Sequence, residues 1–151
     1  MKPLGSGDPV VVGSFRILGV LGGGGMGRVY LGESRSGRRV AIKVIRSELA
    51  EDSTFRRRFA REVAAIRTVS PLFTASVVEA DADADSPWVA TTYIEGPTLS
   101  ELVSTSGKLA SGAVLTLAAG LADALASIHR AGRAFNSISK PVAWILPAFW
   151  V

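Results

Sequence analysis

Leu21-Gly22-Gly23-Gly24-Gly25-Met26-Gly27-Arg28-Val29-Tyr30 is the stretch on which the fold turns. Five glycines in six positions, 22–27, sit between two segments with the alternation of strands. Glycine lacks a Cβ, so the chain can turn tightly there and its backbone can come close to a ligand. Backbone N–H groups lining such a turn can point at phosphate oxygens. Gly22, Gly24 and Gly27 spell G-x-G-x-x-G, and Val29 extends it to G-x-G-x-x-G-x-V. Alone, this pattern fits a dinucleotide fingerprint, a phosphate-covering hairpin or an ordinary glycine-rich hairpin.

The residues that follow separate these readings. A dinucleotide fold opens a helix after the glycines and places an acidic residue about 20 positions on. Here Arg28-Val29-Tyr30-Leu31-Gly32 continues as strand, rich in β-branched and aromatic residues and without a helix cap. Arg35-Ser36-Gly37-Arg38 makes a turn, and a third strand carries Val40-Ala41-Ile42-Lys43. A glycine hairpin followed by V-A-I-K resembles the N-lobe of the bacterial eukaryotic-like (Hanks-type) serine/threonine protein kinases. The resemblance covers roughly residues 15–132.

Composition bounds the remaining possibilities. A chain of 151 residues suffices for one ordinary domain, and a complete two-lobed kinase is larger. With 48% hydrophobic and 20% charged residues the composition is globular. Net charge is +4, but the basic residues are scattered, which argues against a nucleic-acid partner. There is no cysteine, hence no disulfide framework and no cysteine metal site, and the cytoplasm is the expected compartment. Met1 to Pro9 has no apolar signal core, and no run reaches the length of a membrane span.

The expected class is α+β: a five-stranded antiparallel sheet with one helix, then two helices of an incomplete second lobe. The divisions are a flexible N-terminus (1–14), the sheet lobe and its exit (15–96), the first helices of the second lobe (97–132) and an apolar tail (133–151). Val10 to Gly19 reads as the first strand and its approach. The glycine turn and two further strands complete a meander to about Ile45. Ala75–Ala80 and Trp88–Thr92 read as the fourth and fifth strands, around a solvated acidic turn at 82–86. Ser53 to Val69 reads as a helix capped by Asp52 or Ser53, with Pro71 ending it. Phe55, Phe59, Glu62, Val63 and Ile66 share one side of it. Arg56, Arg57, Arg58 and Arg61 form a basic cluster, read as a solvated face. Glu62 falls on the apolar side, where a bare carboxylate is costly, and Lys43 is the cation expected to meet it. Thr98-Leu99-Ser100-Glu101 is a capping box, and Ser111 to Ala131 a long helix with Gly132 at its end. His129, the only histidine, reads as helix-end packing or capping.

The resemblance implies roles for particular residues. ATP is the implied ligand, with Gly22, Gly23, Gly24, Gly25, Met26 and Gly27 over its phosphates. Leu21, Val29 and Ala41 form an adenine roof. Lys43 holds the α/β-phosphates and Glu62 orients Lys43. Thr91 takes the gatekeeper position at the back of the site, and the backbones of Thr92 and Ile94 meet the adenine edge. Beyond Gly132 the family expects H-R-D-L-K-P-x-N, whose Asp is the base and whose Asn holds magnesium. Aligning Lys140-Pro141 with K-P puts Ile138 at the Asp position and Ala143 at the Asn position. Neither side chain can accept a proton or hold a cation. Ala143 to Val151 is almost wholly apolar. The expectation is therefore an ATP-binding portion of a kinase domain, truncated or frame-shifted and inactive as this chain, with no catalytic residue and no metal ligand. The alternative is a pseudokinase-like module that binds nucleotide or a partner. The apolar faces of the long helix are expected to drive self-association or to meet a protein partner.

Overall fold

A computed structural model describes residues 1–67 and 75–132, the side chains of 128–132 apart. The expected helix stop at Pro71, the side chain of His129 and the apolar tail 133–151 lie outside the described residues.

Six strands make one antiparallel sheet in the order β1-β2-β3-β4-β6-β5. They are β1 (Val11–Val12), β2 (Phe15–Gly24), β3 (Gly27–Glu33), β4 (Arg39–Ile45), β5 (Val77–Asp81) and β6 (Trp88–Thr92). The expected five strands are thus joined by a sixth, two-residue strand. Gly13, at φ 55°, turns the chain so that Val11 and Val12 fold back on Arg16 and Phe15. The helices are α1 (Ser47–Ala50), α2 (Ser53–Arg67), α3 (Leu99–Ser106) and α4 (Ser111–Gly132). The reciprocal Thr98–Glu101 capping box opens α3 as the sequence suggests.

Alternation along each strand sends side chains to opposite faces. On the outer face Phe15, Ile17, Tyr30, Val40, Ile42, Trp88 and Ala90 form a closed core. Phe15 meets Trp88 edge-on, with ring centroids 6.2 Å apart. On the inner face Ile45 and Val89 pack against Phe59, Val63 and Ile66 of α2. This places α2 across one end of the inner face and gives it a definite side to bury.

Two expected solvated surfaces are bound to the fold instead. Arg56 is half-buried, and its guanidinium donates to the carbonyls of Ala50 (2.6 Å), Ala82 (3.0 Å), Ala84 (2.7 Å) and Asp85 (3.2 Å). It fastens the start of α2 to the acidic turn, which Asp81 shapes by accepting from the N–H groups of Asp83 and Ala84. Arg57, Arg58 and Arg61 are exposed, as expected of the cluster. The N-terminal residues are also tied down: Lys2 makes an antiparallel bridge with Val20.

Candidate functional site

The glycine stretch is a hairpin. Gly22 pairs with Val29, Gly23 with Arg28 and Gly24 with Gly27, leaving Gly25 and Met26 as the turn. A strand, not a helix, leaves Gly27. The glycines are there for different reasons. A Cβ on Gly27 would lie 2.0 Å from the carbonyl oxygen of Val44, so the neighbouring strand requires glycine. A Cβ on Gly22, Gly24 or Gly25 would meet no heavy atom within 4 Å. The packing of the chain itself does not demand glycine at these three; their bareness keeps the hairpin's surface open. Leu21, before the first glycine, and Met26, in the turn, are half-buried.

Register then sets out a patch on the inner face. Val29 stands opposite Lys43, which stands opposite Val89; Leu31 stands opposite Ala41, which stands opposite Thr91. Directly opposed residues share a face, so Val29, Ala41, Lys43 and Thr91 line one surface beside the glycine hairpin. Ala41 is 5% exposed and Thr91 1%, and the Thr91 hydroxyl makes a long contact of 3.5 Å with the Ala41 carbonyl.

Lys43 of β4 and Glu62 of α2 are electrostatically coupled. Glu62 is buried at 7% exposure among the apolar residues of α2. Burial pushes its carboxyl above the ordinary value, and the Arg58 and Lys43 cations pull it partly back. Burial likewise pushes the Lys43 ammonium below its ordinary value, and the Glu62 carboxylate opposes this. Each group is therefore a desolvated ion stabilised in part by the other. A half-buried ammonium of this kind gains from an anionic neighbour that offsets its lost hydration.

The last strand ends the patch. Thr92 is exposed and gives its N–H to the Ser76 carbonyl at 2.9 Å. Ile94 lies in the segment after β6, with its side chain 61% exposed. Sequence reasoning missed a cluster behind the hairpin. Asp8 accepts from the Tyr30 hydroxyl (2.8 Å) and the Gly5 N–H (2.8 Å) and pairs with Arg28. The Gly5 N–H, then the Tyr30 hydroxyl, hold its carboxyl below the ordinary value, with the Arg28 cation adding to them. Nothing in the local sequence signals a contact with a residue 20 positions away.

Comparison with known proteins bears on the family and the fold. Residues 15–138 match the family described as the protein kinase domain. The chain is 58% identical over 125 residues to the serine/threonine-protein kinase AfsK of Streptomyces coelicolor, covering 83% of this chain and 16% of that protein. It is 49% identical over 148 residues to the probable serine/threonine-protein kinase PkwA of Thermomonospora curvata, covering 98% of this chain and 20% of that protein. The PknI kinase domain of Mycobacterium tuberculosis superposes with a TM-score of 0.66 at 27% identity, over 85% of this chain and 52% of that structure. The chain thus spans between 16% and 20% of the length of these two curated relatives. The likeness also passes Gly132, where the sequence motifs suggest it stops: the family match continues to residue 138 and the PkwA match covers 98% of the chain.

Proposed function

Because this chain belongs to the protein kinase domain family, we propose that it forms the ATP-binding half of a serine/threonine protein kinase. One observation carries the reading: a half-buried lysine, electrostatically coupled to a buried glutamate, stands directly across from Val29 in the strand that leaves an unobstructed glycine hairpin. The hairpin backbone, Gly22 to Gly27, covers the phosphates with its N–H groups. Lys43 holds the phosphates as a point charge, and Glu62 keeps the ammonium aimed. Leu21, Val29 and Ala41 bury the adenine ring against small and branched side chains, with Thr91 at the back. The N–H of Thr92 is already given to Ser76, so Thr92 offers the adenine edge its carbonyl, and Ile94 its N–H.

ATP fits the residues present, since the lysine has the charge and the glycines leave the room. Magnesium, which the family resemblance implies, finds no ligand set among the described residues. No group of three or more His, Asp or Glu could hold a metal among the described residues, and Ala143 stands where the resemblance expects Asn. With Ile138 at the expected position of the base, nothing there accepts the proton of a substrate hydroxyl. The 151-residue chain is a nucleotide binder that does not itself transfer phosphate. Cytoplasmic location belongs to the same reading; no helix among the described residues is long and apolar enough to cross a membrane. So does self-association through α4, where Leu115 is 70% exposed and Val114, Leu117, Leu121 and Leu125 lie open beside it.

Calorimetric titration with a non-hydrolysable ATP analogue tests the reading. Binding by the native chain and its loss in Lys43→Met are expected. Absence of binding at millimolar analogue overturns the nucleotide site. Robust phosphate transfer to a protein, abolished by Lys43→Met, overturns the claim of inactivity.

A further inference from the structure

The eight residues that begin the chain pass behind the glycine hairpin and fasten both of its roots. On one side Lys2 donates to the Val20 carbonyl and accepts from the Val20 N–H, each at 2.9 Å. Val20 lies immediately before Leu21 and Gly22 in β2. On the other side a turn closed by Asp8 N–H to the Gly5 carbonyl (3.1 Å) and Gly5 N–H to Asp8 Oδ2 (2.8 Å) presents Asp8 Oδ1 to β3. That oxygen takes the Tyr30 hydroxyl at 2.8 Å and the Arg28 guanidinium. Arg28 immediately follows Gly27.

Exposure shows which partner is organised by which. The Asp8 side chain is 2% exposed, whereas that of Arg28 is 57% exposed. A buried carboxylate with three donors is a fixed post. A long exposed arginine on the rim of a glycine turn is not fixed until something holds it. The contact is also on the correct face to act without obstructing the site. Arg28 and Tyr30 flank Val29 in the strand and so project from the opposite face to Val29 and Lys43. Tyr30 belongs to the outer core, with Leu4 of the same N-terminal segment packed against that core.

We propose that Asp8 is a positioning residue for the glycine hairpin. Through Arg28 and Tyr30 it holds the root of β3, while Lys2 holds the root of β2, so that the hairpin's amides are set toward phosphate before nucleotide arrives. Residues 1–8 are then a brace of the site. The proposal rests on the nucleotide-binding reading above for its ligand, but not for its mechanics.

The test compares the native chain with Asp8→Asn, Arg28→Gln and Tyr30→Phe by titration with two ligands, a non-hydrolysable ATP analogue and adenosine. Asp8→Asn and Arg28→Gln are expected to weaken the ATP analogue about five- to tenfold and to leave adenosine unchanged, since the brace acts on phosphate-facing amides. Tyr30→Phe is expected to do the same more weakly. Equal losses for both ligands would mean a merely structural role, and no loss for either would mean none; both overturn the proposal. Arg28 is exposed, so its variant folds even if Asp8→Asn does not. Amide hydrogen exchange over residues 22–27 separates this inference from the reading it rests on. If the native chain binds no nucleotide, faster exchange there in Arg28→Gln still supports the brace, and unchanged exchange refutes it.

Discussion

The two faces of the sheet are made from the same strands and put to opposite uses. The outer face is apolar and closed, with Val40, Ile42 and Ala90 at 0% exposure. The inner face is less uniform: it carries the core under α2 and, beside it, Val29 and Lys43, which are half-buried, and Ala41 and Thr91, which are small and buried. Along β4 the alternation is residue by residue: Ile42 faces the core between Ala41 and Lys43, which face the site. Stability concentrates on one side, so the other can carry a half-buried lysine.

The largest expected effect tests that division directly. Ile42→Ala should cost about 3 kcal/mol in denaturant unfolding and leave the affinity of folded protein for an ATP analogue nearly unchanged. Val29→Ala, half-buried on the other face, should cost under about 1 kcal/mol while weakening the analogue several-fold. If both substitutions moved stability and affinity together, the two faces would not be separable. Next come the glycines, where the same contrast is drawn within one hairpin. Gly27→Ala drives a methyl toward the Val44 carbonyl and should cost about 2 kcal/mol. Gly24→Ala points into open space and should leave the thermal midpoint within a degree or two while lowering nucleotide affinity.

The smallest effect is a slope. Burial raises the Glu62 carboxyl above its ordinary value of 4.5, so the folded chain binds more protons than the unfolded one just above that pH. Stability due to this group therefore falls as pH rises from about 4.5 through its raised value, and returns on acidification. Glu62→Gln should flatten unfolding free energy against pH in that window. Lys43 works in the other direction: its lowered pKa makes the unfolded chain the better proton binder as pH approaches 10.5, so stability rises there. An unchanged acid slope in Glu62→Gln would show that Glu62 is hydrated and place it with the exposed arginines of α2.

Much of this was readable from residue order. Trp88–Thr92 is the fifth strand expected, α2 begins at Ser53, and Thr98 and Glu101 cap α3 reciprocally. These depend on local alternation, propensity and capping, which lie within a few residues. An acid on the apolar side of a helix needs a cation, which is the sequence reason to pair Glu62 with Lys43; each shifts the other's titration. What escaped depends on distant partners. Arg56 looks like Arg57 and Arg58 in sequence, and only the path of the turn at 82–85 distinguishes it. Likewise β1 and α1, of two and four residues, are too short to carry a pattern, and Asp8 acquires its role only once β3 passes beside it.

The Arg56 clasp has a mechanical consequence. It pins one end of α2 to the sheet's acidic turn, and Glu62 sits six residues further along the same rod, about 9 Å from the pin at 1.5 Å per residue. A tilt of about ten degrees about that end would carry the carboxylate roughly 1.5 Å at this radius, enough to change its coupling to the Lys43 ammonium. With that end held by Arg56, the orientation of the rest of the rod governs how closely Glu62 lies to the sheet.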